Sequence, residues 1–246
     1  MIFLSFFLIA ACVKKDPWEE LNEKTLELYH QERHSEAAKI AKEALGSAES
    51  ESKSNPQHVA TSLNNLALIY QAQRKYADAE PLYKRAVVLW ENFLGKEHRY
   101  VATCLNNLAV LYKFQGRYAE AEPLYRRART IDEKVLGKDH PDFAVDLNNL
   151  GELYRVLGRY GEAEILYKQA LEIVEKTLGN EHPHVSKTLD NLAFLYQVQE
   201  RYAEAVPLYK RALAIDQKSL GPKHPKAATL LVNMTECYRK MGKRND

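Results

Sequence analysis

The chain has 246 residues, 46% of them apolar, which is enough for one or two domains with a sizeable buried core. Its 35 basic and 33 acidic residues leave a net charge of +2, a balance without the basic footprint of a nucleic-acid-binding protein. Ten glycines in a chain rich in Ala, Leu, Glu and Lys favour an all-α protein, and three scattered cysteines do not make a disulfide framework or a CxxC zinc site.

The chain starts with a hydrophobic segment, 1–15, whose apolar run ends at Lys14 and Lys15. This run is shorter than the about 20 apolar residues that cross a bilayer, but it suits the apolar region of a secretory signal. Residues 9–12 (IAAC) resemble a bacterial lipobox, which implies lipidation of Cys12 and an exported protein anchored in a bacterial envelope. No Lys or Arg precedes the run, so an uncleaved or spurious terminus on a cytoplasmic protein is the alternative.

The rest of the sequence repeats with a period of 42 residues. Three marks recur in phase: an LNNL-type motif, a basic residue followed by Tyr, and LGxxH. The LNNL-type motif starts at Leu63, Leu105, Leu147, Leu189 and Leu231, the basic residues are Lys75, Arg117, Arg159 and Arg201, and LGxxH starts at Leu94, Leu136, Leu178 and Leu220. A fixed period of this length predicts a solenoid of stacked helical units.

In chain order, each unit reads as two helices. In the third unit, Leu105, Leu108 and Tyr112 line one face of the first helix, and Ala121 and Tyr125 line one face of the second. A glycine or a polar residue opens the turn between them, and a second glycine follows the second helix, where a C-cap needs positive φ. The predicted pairs span 18–53, 59–95, 101–137, 143–179 and 185–221, and a closing helix spans 226–241.

The order and spacing of these small and large residues resemble the tetratricopeptide repeat. The 42-residue unit is similar to the repeats of kinesin light chains and their bacterial relatives, over about residues 18–242. The resemblance implies a right-handed superhelical solenoid of tetratricopeptide helix pairs, which we expect to form a single domain over 16–246. One local conflict remains, since Pro81, Pro123 and Pro207 fall inside the second helices, so that these helices either start late or bend.

The paired asparagines lie on the face of each first helix opposite its apolar side, counting about 100° per residue. In such a stack the first helices line the concave side, so the amides are expected to face a shared groove. The predicted row comprises Asn64, Asn65, Asn106, Asn107, Asn148, Asn149, Asp190, Asn191 and Asn233. Amides offer donors and acceptors to an extended peptide, and the resemblance implies that this groove holds a peptide backbone or terminus.

The same amides suit a second role, in which they bond the neighbouring helix pair and brace the superhelix. Both roles are kept open. Other residues of the predicted groove are Lys113, Phe114, Arg155, Phe194 and Arg239, with a slight excess of basic groups that favours a ligand carrying carboxylates.

No catalytic, metal or cofactor site is expected. His98, His140, His182 and His224 are also spaced by 42 residues, but successive repeats advance by about 8–10 Å, too far for histidines to share a zinc ion. Nearly all carboxylates are expected on solvated faces in the repeat register, and phosphate-loop, HExxH and GxSxG motifs are absent.

The sequence therefore predicts a non-catalytic scaffold that binds a protein or peptide in its groove. It predicts no nucleic-acid partner, no cofactor, and contact with a membrane only through a lipid on Cys12. Two alternatives remain: a structural subunit that stacks through its terminal helices, and a cytoplasmic signalling adaptor.

Overall fold

The computed structural model describes residues 16–50 and 55–245, and confirms the all-α prediction. In this described part of the chain there are eleven helices. They are α1 (Pro17–His30), α2 (His34–Ser50), α3 (Pro56–Ala72), α4 (Tyr76–Leu94), α5 (Arg99–Phe114), α6 (Tyr118–Leu136), α7 (Pro141–Val156), α8 (Tyr160–Leu178), α9 (Pro183–Val198), α10 (Tyr202–Leu220) and α11 (Pro225–Asn245). Odd-numbered helices are the first helices of the repeats and even-numbered ones are the second helices.

The described part of the chain divides into two compact units, the first ending at Leu89 and the second beginning at Trp90. In the first unit α1 packs on α2, and both contact α3 around a core that includes Leu28, Ala41 and Leu66. In the second unit consecutive helices pack against each other from α5 to α11, as in a tetratricopeptide solenoid.

A tyrosine of each complete second helix seats it against the preceding first helix. Tyr83, Tyr125, Tyr167 and Tyr209 are all 0% exposed. The contact at Gly151 shows how tight the fit is, since a Cβ added there would lie 2.8 Å from Cε1 of Tyr167. The other first helices of complete repeats carry alanine at this place, so a small residue opposite a large ring sets how closely the two helices approach.

The turn inside each pair uses one left-handed residue. Its φ is 58° at Glu32, 60° at Arg74, 74° at Gly116, 74° at Gly158 and 59° at Glu200. The predicted positive φ after the second helices is also confirmed: at Gly137 φ is 85° with ψ 164°, a conformation essentially confined to glycine.

In the second unit the basic residues Arg159 and Arg201, which follow the turns, each tie one helix pair to the previous pair. Arg159 donates to Glu122 of α6 at 2.9 Å, and its guanidinium lies 3.8 Å from the centre of the Tyr154 ring. Arg201 repeats this arrangement, donating to Glu164 of α8 at 2.7 Å. The basic–Tyr motif found in the sequence therefore carries an inter-repeat ion pair that is partly shielded from water.

A second series of ion pairs runs along the linkers of the second unit. Lys176 of α8 contacts Asp139 in the preceding linker at 2.9 Å. The equivalent lysines Lys134 and Lys218 contact Glu97 and Glu181. These side chains are exposed, so the pairs are weak and sensitive to salt.

The prolines of the second helices lie inside regular helix. α6 begins at Tyr118, five residues before Pro123, and α4 and α10 contain Pro81 and Pro207 at the same place. The alternative of a late start is therefore wrong. Pro123 cannot donate to the carbonyl of Ala119, but Ala119 is exposed in the first turn, where water can replace the missing donor.

Two glycines of one segment provide a test of the turn geometry. Gly158→Ala places a Cβ on a left-handed residue, and we expect it to lower the free energy of unfolding by about 1 kcal/mol. Gly161→Ala lies in the first turn of α8 with open space around it, so it is expected to stabilise by about 0.5 kcal/mol. Thermal and urea unfolding of both variants measure this, and equal effects would contradict the assignment.

Candidate functional site

The second unit presents one continuous face built from first helices. α5 contacts α7, α7 contacts α9, and α9 contacts α11 by close approach of their backbones. In this described unit the backbones of α6, α8 and α10 stay further apart, and Arg211 of α10 reaches Glu175 of α8 only through its long side chain. Closer spacing of the first helices places them on the inside of the curve. We call the side that α5, α7, α9 and α11 turn away from their second helices the inner face.

Asn148 bridges two first helices from the floor of the inner face. It is only 5% exposed, and its Nδ2 donates to Ala144 O at 2.9 Å and to Thr188 Oγ1 of α9 at 3.0 Å. Its Oδ1 accepts from Nδ2 of Asn191 at 3.1 Å. This amide is therefore saturated by structural bonds, as the bracing alternative expects.

Two further bridges of this type are present. In the second unit Asn106 of α5 donates to Asp146 of α7. In the first unit Nδ2 of Asn65 donates to Oδ1 of Asn22 in α1 at 2.9 Å, and Asn64 lies within 3.5 Å of Asn65. The sequence analysis missed Asn22, although it stands 42 residues before Asn64 and the period alone marks it.

The remaining predicted side chains, three amides and one carboxylate, are more accessible than Asn148. Asn107, Asn149, Asp190 and Asn233 are half-buried, and Asn233 lies against the hydroxyl of Tyr209. The row therefore contains both bracing residues and residues that a ligand can reach. Whether any of them contacts a ligand stays a prediction.

The basic residues of the inner face have partners within the protein. Lys113 contacts Glu152 at 2.6 Å, Arg239 lies 2.5 Å from Glu236, and the guanidinium of Arg155 lies 4.7 Å from the centre of the Phe194 ring. Their charge is thus largely balanced locally, which weakens the predicted preference for carboxylates.

An exposed apolar strip follows the C-terminal ends of the first helices. Phe114, Val156 and Val198 occupy equivalent places 42 residues apart, and are 59%, 40% and 38% exposed. Aligned apolar side chains of this kind mark contact surfaces. We call these three residues the apolar strip.

Two tyrosine hydroxyls beneath the inner face lack the partner that their counterparts have. The hydroxyl of Tyr209 donates to Gln197 at 2.6 Å, but Lys113 and Arg155 replace this glutamine in the two preceding repeats. The hydroxyl of Tyr125 is buried without a hydrogen bond, that of Tyr167 is buried with only a loose contact to Arg155, and burial raises the pKa of each phenol.

Buried carboxylates correct one expectation. Asp132 is 6% exposed, Asp146 is 1% exposed and Asp216 is 6% exposed, so these three are exceptions to the prediction that nearly all carboxylates lie on solvated faces. Asp132 and Asp146 face each other, and burial together with the neighbouring charge raises the pKa of Asp146 to about 8. The repeat pattern gave no sign of the buried Asp146, because the equivalent residues of other repeats are the uncharged Ser62, Cys104 and Thr188.

The histidines of the linkers cap helices. Nδ1 of His98, His140 and His182 accepts from the backbone N–H two residues later, at 3.2, 3.1 and 3.2 Å. Each stands at the N-cap of a first helix, a role that the sequence analysis did not assign. Among the residues that the structure describes, no group of three or more metal-ligating side chains is suitably placed for an ion.

Two of the three cysteines lie within the described residues. Cys104 and Cys237 are buried, and desolvation raises the pKa of Cys104 to about 12. Cys12 lies outside the described residues. In the part of the chain that is described, every helix is too short or too polar to cross a membrane.

The family model of the tetratricopeptide repeat matches residues 58–134, 112–176, 142–196 and 184–246. BtubC (BKLC) from P. vanneervenii is 22% identical over 85% of this chain and 84% of its own, with a TM-score of 0.74. The nearly identical TPR-like repeats of a kinesin light chain from Podospora anserina are 26% identical over 82% of this chain and 95% of their own, with a TM-score of 0.66.

A third similar structure is the Rap protein complexed with competence and sporulation factor. It is 17% identical over 93% of this chain and 64% of its own, with a TM-score of 0.73. These likenesses show the solenoid fold. Comparison with curated proteins gives no match.

The buried acid pair generates a prediction about pH. Because the folded pKa of Asp146 lies above the unfolded value, its contribution to stability is complete below about pH 4 and is lost as pH rises through about 8. Asp146→Asn keeps the shape and removes one charge, so we expect it to stabilise the protein increasingly over this range. A shift of even two pKa units corresponds to about 3 kcal/mol.

Unfolding of the wild type and Asp146→Asn at pH 5 and pH 8 measures this effect. Asp139→Asn, which changes an exposed carboxylate of the preceding linker, is the control and should stay within about 1 kcal/mol at both pH values. Parallel pH profiles for the wild type and Asp146→Asn would refute the buried pair.

Proposed function

Because this chain belongs to the tetratricopeptide repeat family, whose scaffold is typical of protein–protein interaction, we propose that it is a non-catalytic binding module. It holds an extended segment of a partner protein on the inner face of α5, α7, α9 and α11. The apolar strip is the observation that carries this proposal. Its three side chains are aligned on successive first helices and are 38–59% exposed, whereas the leucine row Leu108, Leu150 and Leu192 of the same helices is buried.

Rigidity of the inner face supports the same function. The bridges from Asn106 to Asp146 and from Asn148 to Thr188 join successive first helices, so the surface is ordered before any partner arrives. A preorganised surface loses less conformational entropy on binding. The accessible amides Asn107 and Asn149 lie beside these bridges and offer hydrogen bonds to a partner's backbone.

The comparisons are consistent with a protein or peptide partner. The Rap protein of similar fold was solved in complex with competence and sporulation factor. At that level of identity only the fold is shared, so the residues that select a partner of this chain are its own. The proposal assigns that role to Phe114, Val156 and Val198, with Asn107 and Asn149 beside them.

Capture of partners by matched variants tests the proposal. We expect the full chain carrying Phe114→Ser and Val156→Ser to lose its partners at least tenfold, as about 1.4 kcal/mol of lost contact predicts. Ile165→Ser is the control, since Ile165 is also 59% exposed but lies on the second helix α8. Quantitative mass spectrometry of the captured proteins gives the measurement.

Equal partner lists for the double variant and the Ile165→Ser control would overturn the inner-face proposal. The alternative of stacking through the closing helix has its own signature. Tyr238 of α11 is 53% exposed, whereas the equivalent Tyr112, Tyr154 and Tyr196 are 4–5% exposed. Under stacking, Tyr238→Ser changes the molecular mass in solution, and the variants of the apolar strip do not.

The position in the cell is a separate proposal. We propose that the protein is exported and anchored in a bacterial envelope through a lipid on Cys12, on the basis of the lipobox-like residues 9–12. Metabolic labelling with an alkyne-bearing palmitate analogue should mark the wild-type chain in the membrane fraction and not Cys12→Ser. An unlabelled chain of full length in the soluble fraction would favour the cytoplasmic alternative.

A further inference from the structure

Three equivalent junctions occur in the second unit, where a second helix packs beneath two successive first helices. Each junction brings together one side chain from the upstream first helix, one from the second helix and one from the downstream first helix. The three sets are Asn106, Asp132 and Asp146; Asn148, Val174 and Thr188; and Asp190, Asp216 and Leu230. Corresponding members are 42 residues apart, so the repeats act as controls for one another.

In each of the first two junctions an asparagine donates a hydrogen bond to the downstream first helix. Asn106 donates to Asp146 in one, and Asn148 donates to Thr188 at 3.0 Å in the other. The third junction has aspartate in place of the asparagine and leucine in place of the acceptor. It therefore has two carboxylates, Asp190 and Asp216, and has lost the amide that supplies a donor elsewhere.

A cavity of about 140 Å³ occupies the third junction. Asp190 and Asp216 line it, together with Ser186, Lys187, Lys226 and Leu230. One water molecule needs about 10–15 Å³ of such space, so the cavity has room for a head group with part of its chain. We call it the Asp190–Asp216 pocket.

Both carboxylates of the pocket lack a hydrogen-bond donor. Asp216 is more than nine-tenths buried, and in the described part of the chain neither it nor Asp190 forms a hydrogen bond or an ion pair. The nearby hydroxyls are engaged elsewhere, since Ser186 donates to Ala212 O and Thr229 donates to Pro225 O, each at 3.2 Å. Within the described part of the chain the donors for these carboxylates are therefore left to the contents of the pocket, either water or a ligand that carries N–H groups.

The two lysines border the pocket without pairing with its acids. Lys226 is exposed at the start of α11, and its charge lowers the pKa of Asp190 against the larger raising effects of burial and Asp216. Lys187 has its own pKa lowered by burial and by the charges of Lys113 and Lys226. Neither ammonium lies within ion-pair distance of Asp190 or Asp216, so the place between the carboxylates is left for another cation.

We propose that the Asp190–Asp216 pocket receives an organic cation, the ammonium or guanidinium head of a basic side chain in the segment held on the inner face. This rests on the proposed function for the source of the cation, and on the pocket alone for its chemistry. An ammonium carries three donors and a guanidinium carries five, which satisfies both carboxylates at once. The apolar side of Leu230 accommodates the methylene stem.

Titration of the full chain with small probes tests the pocket without any partner. The probe is Nα-acetyl-lysine methylamide, and its norleucine counterpart is the uncharged control. We expect saturable shifts of the ¹³C carboxyl signals of Asp190 and Asp216 with the lysine probe alone. The sealed Asp132 and Asp146 signals should not move, which provides an internal reference.

Variants extend the test. Asp216→Asn and Asp190→Asn should each weaken the lysine probe at least tenfold, and Lys226→Met should strengthen it several-fold by removing a competing charge. Unfolding curves verify that each variant is folded; if Asp216→Asn is not, the half-buried Asp190→Asn carries the comparison. Butane-1,4-diamine is titrated in the same way. If this free diamine binds and the lysine probe does not, the proposal that the cation comes from a side chain is overturned.

Failure here is distinguishable from failure of the proposed function. No saturable shift, equal shifts with the norleucine probe, or unchanged affinity in both aspartate variants would overturn the pocket. The apolar strip would still be tested separately by Phe114→Ser and Val156→Ser. Conversely, lysine binding in a protein that captures no partner would leave the pocket standing and overturn the inner-face function.

Discussion

The contact between one tyrosine ring and one small residue fixes the spacing of each complete helix pair. At Gly151 there is no room for a Cβ opposite Tyr167, and alanine stands at this place in the neighbouring complete repeats. Because the approach of the two helices is set by hard contact, the same side chains recur at the same depth in successive repeats. Rows of asparagine and of exposed apolar residues follow from that regularity.

The fold was accessible from the sequence because the period is constant. Five occurrences of one pattern made the helix ends clear to within four residues, and marked the glycines with positive φ. The direction in which the asparagines point also followed from counting positions around a helix. Their partners did not, since Asn148 can bond Thr188 only because α7 and α9 lie at one particular separation.

The features that the sequence analysis missed are departures from the repeat or roles outside it. Asp146 occupies a place that is otherwise filled by small or apolar residues. An analysis that looks for residues shared between repeats does not notice a residue that occurs in only one of them. His140 was considered only as a zinc ligand, although a histidine directly before proline at the start of a helix is well placed to cap it. In a periodic protein, the residues that distinguish one repeat from the next are the ones that its shared pattern does not predict.

The two edges of the second unit are held by different forces. On the inner side, amide bridges such as Asn148–Thr188 are buried, so mobile ions do little to them. On the linker side, exposed pairs such as Lys176–Asp139 lie in water. Dissolved ions screen their attraction, since the Debye length is about 8 Å at physiological ionic strength and becomes shorter as salt is added. Added salt therefore weakens the linker pairs and leaves the buried amide bridges largely unchanged, so the two edges of this unit differ in their sensitivity to ionic strength.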